Sequence, residues 1–285
     1  MTLPKEDDTV KKPLHLVGEV CFYLIIFAIL FVYLFPLIWQ FSTSLKTMDE
    51  VFRGFSLIPN KPIWENYTIS LRDFNVGRYL LNTILVAGLI TLGQVLSCSM
   101  AGYAFAKLRF PGRDFIFFLY LGTMMIPATV TLIPTYVIVL ELGWVDSLAG
   151  LVIPFFFGNA FGTFLIRQFL QGVPRDLEEA AEIDGAGYFV IWSRVMLPMA
   201  KPALATLAVM TLVQQWNSLV WPLIVTQADT WKVLSVGLAA FRLFRTIQWN
   251  TMMAAVVMAT LPMIVILFLA QRFFIQGIQF SGLNR

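Results

Sequence analysis

The sequence predicts an all-α, polytopic membrane protein with six transmembrane helices and a helix–turn–helix on its cytoplasmic face. Three observations predict it. Of the 285 residues, 58% are hydrophobic and 13% are charged, with a mean hydropathy of +0.76, whereas soluble domains carry about 25% charged residues. Apolar runs recur along the chain at the length of roughly 20 residues that a helix needs to cross a bilayer. One polar segment, residues 171–201, interrupts that pattern with a dense group of acids.

Residues 1–19 form a polar tail carrying Lys5, Lys11 and Lys12 against Glu6, Asp7, Asp8 and Glu19. The first apolar run, 20–41, exceeds the core of about 7–15 residues found in a signal peptide, so it reads as a retained anchor. A polar stretch over 42–78 follows, rich in turn formers (Gly54, Pro59, Asn60, Pro62), with Trp64 and Tyr67 suited to a membrane interface. The second span covers 79–106, and the basic link KLRFPGR, 107–113, ends it. The third span, 114–140, contains Pro127 and Pro134. Each removes a backbone donor and kinks a helix, which a bilayer tolerates where neighbouring helices or a wet cavity satisfy the freed carbonyls. A short link over 141–147 leads to the fourth span, 148–170. The fifth span covers 202–226 and is followed by a link with Lys232, Arg242 and Arg245. The sixth covers 251–274. Residues 20–275 therefore form one transmembrane domain between tails 1–19 and 276–285.

Orientation follows from lysine and arginine in short loops. Lys107, Arg109 and Arg113 crowd the second link, and the third link has neither residue type. The second link, both termini and the acidic segment are accordingly placed in the cytoplasm. The first loop (Lys46, Arg53, Lys61, Arg72, Arg78) and the fifth link fall outside.

Several function classes are disfavoured. No basic stripe with interleaved aromatics offers a nucleic-acid surface. Cys21 and Cys98 lie in apolar spans and read as small hydrophobes. His15 is the single histidine, so a transition metal has no ligand set, and no cofactor is expected in this chain. Spans two, three, five and six carry essentially no ionisable group away from their ends, against a proton-coupled carrier. Sodium coupling through backbone carbonyls stays open. No Gly-Lys dipeptide occurs, so the phosphate-binding P-loop cannot form. Any ATP-driven movement needs an ATPase on another polypeptide.

The acidic segment places Asp176, Glu178, Glu179, Glu182 and Asp184 within nine positions. Leu177, Ala180 and Ala181 favour a helix, Pro174 is tolerated near its start, and carboxylates in the first turn complement the positive helix end. Gly185 and Gly187 are expected to break it. Residues 188–196 resume as an amphipathic stretch with Ser193 and Arg194, and Leu197-Pro198 and Lys201-Pro202 close the unit. Small residues (Ala180, Ala181, Gly185, Ala186) would let a second surface approach closely. Charge alone favours a solvated helix joining two spans.

Residue order narrows this: Glu179-Ala180-Ala181, Gly185, Val195, then Leu197-Pro198. That spacing resembles the signature loop of permease subunits in bacterial ABC importers, of the carbohydrate type that includes the maltose permeases. AGYAFAKLRFPGR at 101–113, MIP at 125–127, NTI at 82–84, and Trp216-Asn217 with Pro222 also resemble that family, in the order of the second, shorter permease of its pair. Val195 stands where isoleucine is commoner, a volume-conserving difference.

The resemblance implies a subunit of the bacterial inner membrane, surrounded by lipid, that pairs with a second homologous permease. It also implies two copies of an ATP-binding subunit that hold ATP and magnesium, an extracytoplasmic solute-binding protein, and a carbohydrate substrate. It further implies that Glu178, Glu179, Ala180, Ala181, Glu182, Asp184, Gly185, Gly187, Leu197 and Pro198 transmit ATPase closure to the spans. No bond chemistry is expected of the chain itself.

For the pathway, Gln214, Asn217, Ser218 and Trp221 fall at i, i+3, i+4 and i+7, one face of a continuous helix. Amides bond sugar hydroxyls and an indole packs on a pyranose ring. The same residues serve equally as interhelical hydrogen-bonding groups. Asn82, Gln94 and Asn159 carry weaker versions of the same signal. Two rivals are an ion-coupled secondary transporter and a membrane protein that only docks partners.

Overall fold

The computed structural model of the chain describes residues 8–241 and 248–282. Lys5, Glu6 and Asp7 of the expected tail, Arg242 and Arg245 of the fifth link, and the last three residues of the C-terminal tail lie outside the described residues. Among the described residues the regular structure is all helical, with no strand. In order the helices are α1 Asp8–Ser44, α2 Met48–Phe52, α3 Glu65–Asp73, α4 Val76–Lys107, α5 Arg113–Gly122, α6 Ala128–Glu141, α7 Leu148–Phe156 and α8 Ala160–Gln171. They continue with α9 Asp176–Ile183, α10 Tyr188–Ile191, α11 Leu197–Met199, α12 Lys201–Trp216, α13 Val220–Val225, α14 Leu234–Ala240 and α15 Trp249–Gly282.

Three helices are individually long and apolar enough to cross a membrane: Gly18–Ser44, Val76–Lys107 and Trp249–Leu269. Three bent pairs qualify together, Arg113–Met125 with Ala128–Glu141, Leu148–Phe156 with Ala160–Gln171, and Tyr188–Met199 with Lys201–Trp216. Six spans result if each pair is one crossing.

The chain divides into two compact units. One comprises residues 1–70 and 248–257. Its loop after α1 is ordered by buried polar groups. The Asn66 amide donates to the carbonyls of Ser44 at 2.8 Å and Lys46 at 3.1 Å, and the Asn250 amide donates to Asn66 Oδ1 at 3.0 Å. Lys46 is fully buried. Its ammonium bonds the Ser56 carbonyl and lies 4.8 Å from the Trp39 ring, so a cation is held by a carbonyl dipole and an aromatic face.

The other unit, 71–247 with 258–285, is organised around α4, against which α7, α8, α12 and α14 pack. It contains two buried apolar clusters. Cys98, Tyr103, Ile166, Leu170, Ile191, Trp192, Met196 and Leu207 lie in one. Val86, Ile90, Leu151, Trp221 and Val225 lie in the other. Close approach of α4 to its neighbours depends on small residues, as membrane helix contacts generally do. A Cβ on Gly102 would lie 2.8 Å from the Ile166 side chain, and one on Gly93 would lie 2.6 Å from the Phe156 carbonyl oxygen.

Three of the expected continuous spans are broken. The third turns by 98° at Ile126-Pro127, and α6 then runs on through Pro134, so the two prolines differ in effect. The fourth bends by 41° between α7 and α8. There Asn159 Oδ1 caps α8 by accepting from the Gly162 N–H at 2.7 Å, and Ser97 Oγ accepts from the Gly158 N–H at 2.7 Å. The Gln94 amide donates to the Phe155 carbonyl at 2.9 Å. Side chains thus satisfy the backbone groups freed by the break, as a bilayer interior requires. The fifth span ends at Trp216 and restarts at Val220. Pro222 explains the restart, because it sits in the first turn of α13, where a missing N–H costs nothing.

Candidate coupling site and solute pathway

The acidic segment folds as a helix–turn–helix. Asp176, Glu178 and Glu179 occupy the first turn of α9. Its far end is a Schellman turn. The Gly185 N–H donates to the Glu182 carbonyl at 3.0 Å and the Ala186 N–H to the Ala181 carbonyl at 2.9 Å. This turn needs a left-handed residue, and Gly185 supplies it at φ +81°. Gly187 departs from expectation: at φ −76° and ψ 163° it caps α10 in an extended conformation open to any residue. One glycine, not two, makes the turn. The amphipathic helix expected after it is also interrupted, because the backbone widens to a π-turn over Trp192–Met196. Leu197–Met199 follows, with Pro198 at its start, and the axis bends by 80° into α12.

α9 has two distinct faces. Glu179, Ala180, Glu182, Ile183 and Asp184 are exposed, Ile183 at 87%. Tyr188 and Phe189 continue this outward face across the turn. Acidic and large apolar side chains are therefore exposed on the same short segment, a composition suited to a partner surface. Glu178 differs from its neighbours in being buried. It is 8% exposed, and the Tyr103 hydroxyl of α4 donates to its carboxylate at 3.2 Å. Four residues along α4, the Lys107 ammonium donates to the Val173 carbonyl at 2.6 Å. Expected as part of the face offered to a partner, Glu178 instead fastens α9 inward, because Tyr103 gives a carboxylate a hydrogen bond under the helix. A cleft of about 440 Å³ is lined by Glu178 itself with Lys107, Arg109, Arg175, Glu179, Glu182 and Tyr188 among others, so the acids stand next to cations of the same chain.

Sequence reasoning missed Tyr103 and Lys107 as partners of this segment. The available signal was two polar heads one helical turn apart at the end of an apolar span.

The pathway stripe is not assembled on one helix. Asn217 terminates α12 and its amide returns to the Val213 carbonyl at 2.8 Å. Ser218 lies in the break, and its carbonyl accepts from Ser235 Oγ. Trp221 is buried on α13, its indole N–H donating to the Gly150 carbonyl at 3.0 Å. Asn and Ser compete for nearby backbone groups, which with Pro222 ends the expected continuous helix. Asn82 is likewise engaged, its amide donating to the carbonyls of Thr230 and Lys232 at 2.9 Å each. This pins the link after α13, where a hydrogen bond from Lys232 also holds the Asp229 carboxyl below its usual pKa.

Gln214 alone of the stripe lines a larger cavity, of about 790 Å³, together with Gln94, Asn159, Thr211, Gln215 and Phe161. Within it the Asn159 amide donates to Gln94 Oε1 at 2.7 Å, and Thr211 Oγ1 donates to the same oxygen at 3.2 Å. The named polar lining is amide and hydroxyl. Among the described residues no group of three or more His, Cys, Asp or Glu is placed to hold a metal ion.

Comparison with known proteins agrees with this architecture. Residues 93–280 match the family described as binding-protein-dependent transport system inner membrane component. The chain is 33% identical over 254 residues to the sn-glycerol-3-phosphate transport system permease protein UgpE of Brucella suis biovar 1 (strain 1330), covering 86% of this chain and 90% of that one. It is 33% identical over 267 residues to the same-named protein of Yersinia pestis, covering 90% and 94%. Its fold matches a chain of a bacterial ABC transporter involved in the import of the acidic polysaccharide alginate, with TM-score 0.78 and 26% identity over 95% of this chain and 100% of that one. The chain belongs to the family of binding-protein-dependent transport system inner membrane components.

Proposed function

We propose that this chain is the second, shorter permease of a bacterial ATP-driven carbohydrate importer, forming half of the translocation pathway and coupling it to a separate ATPase. Family membership places it in a transport system that uses a binding protein. The finer assignment takes its substrate class from the relatives, one named for transport of sn-glycerol-3-phosphate and one for import of alginate. Its partners would be a homologous permease, two ATP-binding subunits carrying ATP and magnesium, and an extracytoplasmic solute-binding protein. Residues 20–275 would form the transmembrane domain, with tails 1–19 and 276–285 and the segment 171–201 in the cytoplasm.

The observation that carries the coupling role is the outward face of α9. Glu179, Glu182 and Asp184 project from a short helix whose end is fixed by the Gly185 turn. Such carboxylates meet Arg or Lys on a partner through charge-assisted hydrogen bonds. ATP-driven closure would draw this helix inward and turn the cavity outward to receive solute from the binding protein. Hydrolysis would reset it. Gln214 and the neighbouring amides of the cavity would bond sugar hydroxyls, whereas Asn82 and Trp221 support the walls.

Glu179→Lys puts a cation where the partner's cation is expected, and like charges across an interface cost several kcal/mol. Association with the ATPase should weaken at least tenfold in co-purification from membranes containing equal amounts of the variant. Unchanged co-purification would remove Glu179 from the contact.

A further inference from the structure

We propose that Tyr103 and Glu178 form an internal latch that carries the movement of α9 into α4, with Glu178 acting as a positioning residue rather than as a partner contact. The proposal rests on the coupling role given above to the outward face of α9.

The acidic segment contains five carboxylates, and Glu178 is the one that is buried. Burying a carboxyl group is unfavourable unless it is hydrogen-bonded. The Tyr103 hydroxyl supplies that bond at 3.2 Å, and Tyr103 is itself only 4% exposed. Lys107, on the same face of α4 one turn further along, holds the Val173 carbonyl at 2.6 Å. Val173 is buried and lies three residues before the start of α9. Two neighbouring side chains of α4 therefore grip the entry to α9 and its first turn. Ala181, three residues after Glu178 and so on the same face, packs against the cluster that contains Ile191, Trp192 and Met196.

A helix gripped at its first turn and closed by the Schellman turn at its last moves as one body. Its displacement has a direct recipient. α4 is the helix against which α7, α8, α12 and α14 pack. Nine residues before Tyr103, about 14 Å along the axis at 1.5 Å per residue, α4 presents Gln94 to the cavity. There Gln94 bonds Asn159 of α8's cap and Thr211 of α12. The latch thus joins the surface of α9 to the residues around the cavity through one continuous helix.

The test uses the full complex with its ATPase, comparing Tyr103→Phe, Glu178→Ala, Glu178→Gln and the Tyr103→Phe/Glu178→Ala double variant at matched amounts in the membrane. Co-purification of the ATPase reports the outward contact, and ATP hydrolysed per solute taken up reports the latch. Tyr103→Phe and Glu178→Ala should retain the ATPase yet raise ATP consumed per solute about tenfold, the scale of a buried hydrogen-bonding group left without its partner. Glu178→Gln, whose amide oxygen still accepts from Tyr103, should restore most of the coupling. The double variant should be no worse than the worse single one. A wild-type ratio for Tyr103→Phe, a Glu178→Gln variant as uncoupled as Glu178→Ala, or additive losses would each overturn the latch. Failure of the unsubstituted chain to retain any ATPase would instead overturn the proposed function.

Discussion

Gly185→Val leaves the protein in the membrane and reduces ATP-driven uptake to below a tenth of normal. Gly185 has φ +81° and its Cβ would meet nothing within 4 Å, so the obstacle is conformational. Left-handed backbone costs a side-chain-bearing residue about 1–2 kcal/mol, and a β-branched residue is a genuine outlier there. Valine moves the backbone to another region, and the two bonds that close α9, from Gly185 to Glu182 and from Ala186 to Ala181, are lost. The site is on the surface, so the bundle survives while α10 leaves α9 at a different angle. Gly185→Asn separates two causes, because asparagine enters the left-handed region more readily. Retention of at least half the uptake by the asparagine variant assigns the effect to φ. An asparagine variant as inactive as valine assigns it to a partner that passes close to the bare Cα. Normal uptake by the valine variant would contradict the turn's role.

Gly93→Val sharply lowers the amount of protein that accumulates in the membrane. A Cβ at this position would lie 2.5 Å from Phe156 Cδ2 and 2.6 Å from the Phe156 carbonyl oxygen. A ring can rotate away, but a carbonyl moves only with its helix. Separating α4 from α7 also strains the bonds around the fourth-span break, where Gln94 holds Phe155 and Ser97 holds Gly158. Overpacking a tight contact typically costs about 1–3 kcal/mol and occasionally more, and the backbone clash puts Gly93 at the upper end. Membrane abundance should fall at least fivefold. Gly88→Val is the control, since Gly88 lies on the exposed side of the same helix with nothing within 4 Å, and its abundance should match wild type. Adding Phe156→Ala to Gly93→Val should rescue only partly, because the carbonyl clash stays. Equal abundance of the two valine variants would contradict the close approach.

The parts legible in the sequence were those set by local chemistry. Apolar run length located the three unbroken apolar stretches, Gly18–Ser44, Val76–Lys107 and Trp249–Leu269, within about five residues, and the order Pro174, acids, Gly185 located α9 and its turn. What stayed illegible depended on neighbours. Nothing in the acid cluster distinguishes Glu178 from Glu179; only a hydroxyl on α4 does. The break before Val220 was marked by Pro222 four residues after Ser218, yet a period-3.6 pattern ran through it and gave a stripe that the folded chain divides. Gly158-Asn159 marked the fourth-span break in the same way, with Asn159 acting as a helix cap inside what apolar composition presents as one span. Gly187 shows the opposite error, a glycine whose backbone any residue could adopt.

Uptake into proteoliposomes distinguishes an ATP-driven permease from an ion-driven carrier. The chain is reconstituted with its partner permease and binding protein, with and without the ATPase subunits, and accumulation of labelled carbohydrate is followed with ATP supplied on the ATPase side. Accumulation is expected only when both the ATPase and ATP are present, and none from proton or sodium gradients alone. Accumulation driven by an ion gradient without the ATPase would contradict that expectation and identify a self-sufficient carrier.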